Sequence, residues 1–280
     1  MSYTLEFMDG PLIKLFICLY GVFHLYLFHT DPEKVIGCRW LKMEQIDSTN
    51  SQAKLFSSDT DNHGLVITAT SQTAGRGQYA RRWQAPLNTS VLLSVLIFPS
   101  ERLRRPVLLT AWAAVSICEV VLELSGFNPR IKWPNDIHVN QRKICGILCE
   151  AGSNHVIVGI GFNVRQTPHD FAMLALPGAT SLFLESGQQF AIPEVTNKLI
   201  EALDRNYKIM ESGTSAEIEN RWVAFLSLKG KKVIIEKMDG HHFSGRLLEI
   251  SFGNIVIEHD HGEFTSLSPE AIRQIRSEAE

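Results

Sequence analysis

Three arginines and two glycines lie in one short segment, a combination suited to binding an anion. The segment, residues 70–83, contains Gly75, Arg76, Gly77, Arg81 and Arg82. Glycines let backbone N–H groups approach a ligand closely, and guanidinium groups add positive charge and paired donors. The apolar run at residues 65–69 is typical of a buried strand. The loop is therefore predicted to leave the end of a sheet, where ligands bind in α/β proteins.

Two other interpretations of this loop compete with anion binding. Basic loops are often solvated surface, and Gly75-x-Gly77-x-x-Ala80 formally matches a dinucleotide-binding fingerprint. That fingerprint needs a helix directly after the loop, but Pro86 and Asn88 stand there, and no acidic residue ends a following strand. The sequence therefore favours an anion site over a dinucleotide site.

A second segment places lysines on both arms of a predicted β-hairpin. A strand ending at Trp133 is interrupted by Pro134, and the chain is predicted to turn back at residues 140–141. Lys132 lies on the first arm and Lys143 begins the second. A lone lysine on a hairpin is more often a solvated charge than a catalytic group. Together with the basic glycine loop, however, the two lysines indicate a phosphate-bearing ligand in a small pocket.

Four motifs, taken in order, resemble those of the biotin–protein ligases. They are Asp47-Ser48-Thr49-Asn50; Gln72-x-x-Gly75-Arg76-Gly77 with Arg81 and Trp83; Lys132-Trp133-Pro134-Asn135-Asp136 with Lys143-x-x-Gly146-Ile147-Leu148; and Gly159-Ile160-Gly161-Phe162-Asn163-Val164. The resemblance extends from about Val35 to the C-terminus. Each motif alone is modest, but four in register over such a length are specific.

The resemblance implies a two-step reaction with ATP and biotin as substrates and Mg²⁺ as the metal. Biotin would be activated as biotinyl-5′-AMP and then transferred to a lysine of a biotin carboxyl carrier protein or domain of a biotin-dependent carboxylase. Both steps build negative charge on phosphate oxygens, which fixed cations and backbone N–H groups stabilise. An ATP-dependent biotin–protein ligase is therefore the expected enzyme.

The family's functional residues carry over onto matching positions of this sequence. The resemblance implies Lys143 and Arg76 as catalytic groups, with Lys143 bridging the biotin carboxylate and the α-phosphate. The implied biotin-binding residues are Ser48, Thr49, Asn50, Gln72, Gly75, Arg76, Gly77, Gln78, Lys143, Gly146 and Gly159. The implied ATP-binding residues are Arg76, Arg81, Trp83, Lys132, Asn135, Lys143 and Asn163, with Trp83 stacked on adenine. Asp136 is the implied ligand of Mg²⁺.

The glycine loop departs from the family pattern at two positions. Gln78 stands where the family commonly has arginine, and Ala80 replaces a frequent glycine. Glutamine can hydrogen-bond a phosphate oxygen but brings no charge, and a charge-assisted bond is roughly twice as strong as a neutral one. The departure puts retention of the adenylate in doubt, but not the reaction.

The fold class is predicted as α+β, followed by a small all-β barrel. The chain has 280 residues, of which 45% are hydrophobic and 20% charged, enough for one large domain and one small one. A long helix is predicted from Pro106, and a capping box at Thr214 and Glu217 predicts another. Four strands separated by turn dipeptides follow Leu228. The resemblance implies a class II synthetase-like catalytic domain with a mixed sheet over residues 35–227 and an SH3-like barrel over residues 228–280.

The first 34 residues fall outside the resemblance, and their role is left open. Residues 11–28 are apolar except for Lys14 and His24, slightly short of the ~20 residues that a spanning helix needs. An upstream translation start, a helix docked on the core and a membrane tether are the three interpretations, and the first is preferred. Five cysteines without a C-x-x-C pair are typical of reduced thiols, so a cytoplasmic location is expected, with membrane tethering as the alternative.

Two rival functions compete with this expectation. A lipoate–protein ligase shares the fold and the adenylation chemistry, whereas a non-catalytic biotin sensor or DNA-binding regulator belongs to a different class. The net charge of −3 gives no bias toward nucleic acid, and no nucleic-acid partner is expected. The Gly-Arg-Gly loop combined with the lysine-bearing hairpin and the barrel favours the biotin ligases. A homodimer is compatible with the sequence but is not predicted by it.

Overall fold

The computed structural model describes residues 3–7, 12–19 and 22–278, and two β-sheets organise them. Within these ranges the larger sheet has ten strands in the spatial order β1-β2-β3-β4-β5-β6-β10-β9-β8-β7. Its strands are β1 (Tyr3–Phe7), β2 (Leu12–Leu19), β3 (Val22–Thr30), β4 (Arg39–Ile46), β5 (Val66–Gln72), β6 (Ser90–Ile97), β7 (Arg130–Lys132), β8 (Asp136–Val139), β9 (Arg142–Ala151) and β10 (Val156–Asn163). Because β4 and β5 are parallel while the other neighbours are antiparallel, the sheet is mixed, as predicted.

The described parts of residues 1–34 include three strands that extend this sheet and no helix. In the described part of residues 11–28, β2 and β3 pair antiparallel with each other, and β3 pairs with β4. The helical interpretation of this stretch is therefore wrong for those residues; positions 11, 20 and 21 lie outside the described ranges. The physical reason is that phenylalanine, isoleucine, tyrosine and valine favour strands, and the open edge of β4 offers backbone partners.

Six α-helices pack with the sheet in the described ranges. They are α1 (Thr49–Lys54), α2 (Pro106–Ser125), α3 (Pro168–Met173), α4 (Leu182–Ser186), α5 (Ile192–Glu211) and α6 (Ser215–Leu226). The buried helix α2 packs on α5, α6 and β9. Its Trp112 donates a hydrogen bond to the Leu203 carbonyl at 2.9 Å and meets Tyr207 edge-on, so α2 and α5 form the centre of the core.

Helix α2 is also the one helix of the described chain that is long and apolar enough to cross a membrane. Of its apolar window, 67% is buried inside the protein, which is typical of a core helix. The prediction that Pro106 begins a long helix is confirmed, with Pro106 at its first turn.

The predicted capping box of α6 is wrong. Thr214 lies at the N-cap of α6, but its hydroxyl donates to the Ile209 carbonyl at 3.1 Å instead of capping the helix. A capping box is present instead at Thr167 and Asp170, before α3. The Thr214 backbone, with φ −93° and ψ 38°, is not in the extended conformation that is usual for an N-cap, and its hydroxyl makes no hydrogen bond to the first turn of α6.

The C-terminal sheet is a five-stranded antiparallel unit, as an SH3-like domain requires. Its strands are β11 (Lys232–Lys237), β12 (His242–Ile250), β13 (Ile255–Glu258), β14 (Phe264–Leu267) and β15 (Ile272–Ser277), in the spatial order β14-β13-β12-β11-β15. The four strands predicted from the turn dipeptides are confirmed, and β15 was not predicted. It follows a 3-10 turn at Pro269–Ala271 and pairs with β11 across the sheet.

An aromatic cluster joins the part of the protein built on the larger sheet to the C-terminal domain. Trp222 of α6 lies between Trp133 and Phe252, with ring centroids 5.8 and 5.1 Å away. Trp133 donates its indole N–H to the Ile272 carbonyl at 3.3 Å. The segment between β7 and β8 is therefore braced by the C-terminal domain.

We expect Trp222→Ala to destabilise the protein by about 3–5 kcal/mol, because the side chain is only 2% exposed and its removal leaves a cavity. Phe264→Ala is the control, since Phe264 is 64% exposed and its loss should change the unfolding free energy by about 0.5 kcal/mol or less. Urea denaturation measures both. Equal midpoints for the two variants would contradict the bracing role of the aromatic cluster.

Candidate functional site

The β8–β9 hairpin holds Lys143 at the edge of a cavity. Asn140 and Gln141 both have positive φ, 49° and 65°, which is the backbone of a two-residue type I′ turn. Lys143 follows this turn, and its Nζ lies 2.6 Å from Asp136 Oδ1 across the hairpin. Its backbone is also fixed, because Lys143 N–H donates to the Gly178 carbonyl at 2.8 Å.

The glycine loop folds back on itself after β5. Gly77 N–H donates to the Arg81 carbonyl at 2.8 Å, and Trp83 N–H donates to the Gly75 carbonyl at 3.1 Å. Tyr79 and Ala80, at its tip, have φ of 55° and 61°. This left-handed backbone explains why glycine suits position 80, where this chain has alanine.

Trp83 covers two glycines of neighbouring strands. A Cβ at Gly161 would lie 2.3 Å from the Trp83 ring, and one at Gly146 would lie 3.1 Å from it. Side chains at either position would displace the indole. Its buried Nε1 has no hydrogen-bond partner among the described residues. The two glycines therefore leave room for the indole to lie close to the sheet.

The start of α1 supplies a buried polar cluster. Thr49 N–H donates to Gln72 Oε1 at 2.7 Å, and the Ser94 hydroxyl lies 2.7 Å from Thr49 Oγ1. Ser94 also bonds Asn50 Oδ1, directly over Gly159, where a Cβ would lie 2.2 Å from that oxygen. Ser94 does not line the cavity, but it supports Thr49 and Asn50 from behind, and the motifs did not reveal it. Its only sequence signal is a polar residue inside the apolar run of β6.

The predicted site residues converge on one cavity of about 320 Å³. Those that line it are Ser48, Thr49, Asn50, Gln72, Arg76, Gly77, Gln78, Arg81, Trp83, Asn135, Asp136, Lys143, Gly146, Gly159 and Asn163. Gly75 instead lines a groove on the outer side of the glycine loop. Lys132 is exposed on the edge strand β7 and does not line the cavity.

Two asparagines in the cavity wall are already engaged by the protein. Asn135 donates to the Ile147 carbonyl at 2.6 Å. Asn163 donates to the Thr180 carbonyl at 3.0 Å and accepts from Gln166 at 2.9 Å. These amides hold the β8 and 174–181 segments around the cavity, so their contact with a nucleotide stays a prediction.

The cavity has a surplus of positive charge. Lys143 is paired with Asp136, and Arg76 is paired with Glu150 at 2.7 Å. Arg81 and Arg82 have no ion-pair partner within the described ranges, although both line the cavity. A cavity with one amide- and hydroxyl-lined end and one cationic end suits a ligand that is polar and uncharged at one end and anionic at the other.

The chain is similar in sequence to proteins of a known family. Residues 42–163 match the Biotin/lipoate A/B protein ligase family. The biotin–[acetyl-CoA-carboxylase] ligase of Paracoccus denitrificans is 30% identical over 202 residues, covering 69% of this chain and 82% of that protein. The chain belongs to the biotin–protein ligase family.

Two further comparisons agree in sequence and in fold. The bifunctional ligase/repressor BirA of Bacillus subtilis is 29% identical over 229 residues, covering 80% of this chain and 70% of that protein. The structure of the Aquifex aeolicus biotin protein ligase in complex with biotin and ATP matches with a TM-score of 0.72 at 23% identity, covering 85% of this chain and 98% of that one. The catalytic fold is therefore that of the family.

We expect Ser94→Ala to destabilise this biotin–protein ligase by about 1–3 kcal/mol, because it leaves the buried Asn50 Oδ1 without its donor. Ser251→Ala, a part-buried hydroxyl in a turn of the C-terminal domain, is the control and should cost less. Chemical denaturation compares the two. A Ser94 variant as stable as the wild type would show that the polar cluster does not depend on this hydroxyl.

Proposed function

We propose that the protein forms biotinyl-5′-AMP from biotin and ATP in the 320 Å³ cavity and transfers the biotinyl group to a lysine of a biotin carboxyl carrier domain. One observation carries the assignment of the site. In a chain of the biotin–protein ligase family, the buried polar cluster, the glycine loop and Lys143 face a single cavity. The activity of the family and the geometry of the cavity therefore point to the same chemistry.

The polar end of the cavity suits the ureido ring of biotin. Ser48, Thr49 and Asn50 are all buried at the start of α1, and Gln72 lies beside Thr49. Amide and hydroxyl groups can both donate to a carbonyl and accept from ring N–H groups. Gly146 and Gly159 line the cavity, but Trp83 and Lys143 lie over Gly146 and Asn50 lies over Gly159, so the fused rings would rest against these side chains.

The cationic end suits the carboxylate and the nucleotide. We place the adenine ring on the free face of Trp83, whose other face covers Gly146 and Gly161. Arg76, Gly77, Gln78 and Arg81 would then surround the phosphate, through guanidinium groups and backbone N–H groups. Lys132, which lies outside the cavity wall, would contact ATP from there.

In the first step a biotin carboxylate oxygen attacks the α-phosphorus of ATP. The new O–P bond forms as the bond to the pyrophosphate oxygen breaks, and pyrophosphate leaves with the bonding electrons. Lys143 lies where both anions meet, so its ammonium group offsets their repulsion and the charge that grows on the phosphate oxygens. To reach them it exchanges its contact with Asp136 for contacts with the substrates.

In the second step the amine of the carrier lysine attacks the carbonyl carbon of the mixed anhydride. The C–N bond forms, the amine loses a proton, and the carbon–oxygen bond to AMP breaks. The same cations stabilise the departing phosphate, and therefore one cavity serves both half-reactions.

Asp136 is suited to share a Mg²⁺ ion with the substrate phosphates. Mg²⁺ is usually bound by one or two carboxylates plus phosphates and water, and Asp136 is the carboxylate on the wall of this cavity. Within the described residues no group of three or more histidine, cysteine, aspartate or glutamate side chains could hold a metal without the nucleotide. The metal would supply charge neutralisation at the phosphates when bound.

We place the protein in the cytoplasm, where its thiols would stay reduced. Cys38, Cys118, Cys145 and Cys149 are free cysteines. Burial raises the pKa of the Cys145 thiol far above its ordinary value and that of Cys149 to about 11. Both thiols are therefore protonated and unreactive at neutral pH.

The proposal is tested by incubating the protein with biotin, MgATP and a biotin carboxyl carrier domain and blotting with streptavidin. We expect labelling that requires ATP and the carrier's acceptor lysine. Lipoic acid in place of biotin, detected with an anti-lipoyl antibody, tests the rival ligase activity. Labelling by lipoate alone would support that rival, and biotin binding without labelling would support a regulator.

We expect Lys143→Ala to reduce biotin-dependent pyrophosphate release by about two to three orders of magnitude, the usual effect of losing one preorganised electrostatic group. Lys198→Ala is the control. The side chains of Lys143 and Lys198 are 34% and 32% exposed, and each is ion-paired, but Lys198 bonds Glu123 on α2, far from the cavity. Near-normal release by the Lys143 variant would remove Lys143 from the mechanism.

We expect Gln78→Arg to slow dissociation of biotinyl-5′-AMP by about ten-fold, because a charge-assisted contact to phosphate adds about 1–2 kcal/mol. Gln78 lines the cavity, so an arginine there can reach the phosphate. Stopped-flow dissociation of the intermediate from wild type and variant is the measurement. Equal rates would mean that Arg76 and the loop backbone hold the adenylate without help from position 78.

A further inference from the structure

Glu150 is a charged residue at the site that the two half-reactions do not use. It lies near the end of β9, two and four residues after Leu148 and Gly146, so all three side-chain positions share one face of the strand. Glu150 also lines the outer groove of the glycine loop, together with Gly75 and Arg76. Its carboxylate therefore stands where the loop meets the sheet.

One oxygen of this carboxylate joins the loop to the start of α1. Glu150 Oε2 accepts from Arg76 Nη2 at 2.7 Å and from Asn50 Nδ2 at 2.6 Å. Asn50 in turn bonds Ser94, and Ser94 bonds Thr49. A continuous chain of hydrogen bonds thus runs from the polar end of the cavity to the glycine loop, and Glu150 is the link that crosses between them.

The contact leaves most of Arg76 available. A guanidinium group has five N–H donors, and Glu150 occupies one of them. Arg76 lines the cavity as well as the outer groove. Glu150 and an anionic ligand can therefore bind Arg76 at the same time, so that the carboxylate fixes the loop without excluding the substrate.

We propose that Glu150 is a positioning residue for adenylation: through Arg76 and Asn50 it holds the glycine loop over the cavity before substrates bind. This inference rests on the proposed function. If the loop is ordered only part of the time, the apparent affinity for its ligand falls by the ordered fraction. Loss of the tether should therefore raise the KM for ATP and leave kcat nearly unchanged, because bound substrates order the loop themselves.

The ion pair itself contributes little to global stability. The side chains of Arg76 and Glu150 are 42% and 37% exposed, and pairs of that exposure contribute between zero and about one kcal/mol. The Arg105–Glu270 pair is a close match, with the same 2.7 Å distance and side chains 38% and 36% exposed, but it joins α2 to the C-terminal domain. Glu270→Ala therefore serves as the control for losing one ion pair.

The first experiment is limited trypsin digestion of the ligand-free, full-length protein. The loop carries three cleavage sites, at Arg76, Arg81 and Arg82. Cleavage in a folded protein follows the population of the open segment, so Glu150→Ala should be cut after Arg81 and Arg82 several-fold faster than wild type and Glu270→Ala. Equal cleavage rates in the three proteins, with equal melting temperatures, would overturn the proposal.

The second experiment is biotin-dependent ATP–pyrophosphate exchange. We expect Glu150→Ala to raise the KM for ATP about ten-fold with kcat within two-fold of wild type, and Glu150→Gln, which keeps the acceptor oxygen, to fall between. In an Arg76→Ala background, Glu150→Ala should not further speed trypsin cleavage after Arg81 and Arg82, because the direct link between Glu150 and the loop is already lost. A further increase in cleavage there, or faster exchange by Glu150→Ala alone, would contradict the tether. No biotin-dependent exchange by the wild type would refute the proposed function instead, and the trypsin comparison would still decide the role of Glu150.

Discussion

In the proposed reaction two anions must meet in this cavity, and the repulsion between a carboxylate and a phosphate is the constraint on which the rest of the structure depends. Unscreened like charges at contact distance cost several kcal/mol at the effective dielectric of a protein surface. Two cationic side chains, each on a backbone fixed by hydrogen bonds, can offset this repulsion. Lys143 follows a two-residue turn and is tied to the Gly178 carbonyl, and Arg76 belongs to a loop closed by its own hydrogen bonds. Each cation has an internal carboxylate partner, Asp136 or Glu150, so the ligand-free cavity is not left with all its positive charge uncompensated.

The second requirement is a cavity wall in which polar and aromatic side chains can lie close to the sheet, and glycines make this possible. Gly159 and Gly161 on β10 let Asn50 and Trp83 approach the sheet to distances that any Cβ would forbid. The long buried helix α2 packs on the opposite side of β9 and keeps the strands rigid. Because the wall is a paired sheet and not a set of loops, the polar end and the cationic end of the cavity keep a fixed separation, which an in-line reaction between two bound substrates requires.

Local patterns predicted much of this arrangement. The Asn140-Gln141 turn and the helix from Pro106 could be predicted because each depends on residues close in sequence. The set of cavity-lining residues came from the resemblance to the biotin–protein ligases. The errors arose where long-range contacts decide. The strand β2 pairs with β3, and residues 27–30 of β3 pair with β4. The Thr214 hydroxyl bonds the preceding helix, and β15 completes the barrel by pairing with β11, more than thirty residues away. Ser94 and Glu150 lie outside the motifs for the same reason. Their roles come from partners on other elements, which spacing along one chain does not reveal.

In the proposed mechanism, biotin and the α-phosphate of ATP react in this one cavity. The most direct test is to incubate the protein with MgATP labelled at the α-phosphate, with and without biotin, in the absence of a carrier domain. Rapid gel filtration then separates protein-bound from free label. We predict close to one equivalent of labelled biotinyl-5′-AMP bound per chain when biotin is present, and none without it. Label that binds equally without biotin, or that is recovered only as ATP, would contradict this mechanism.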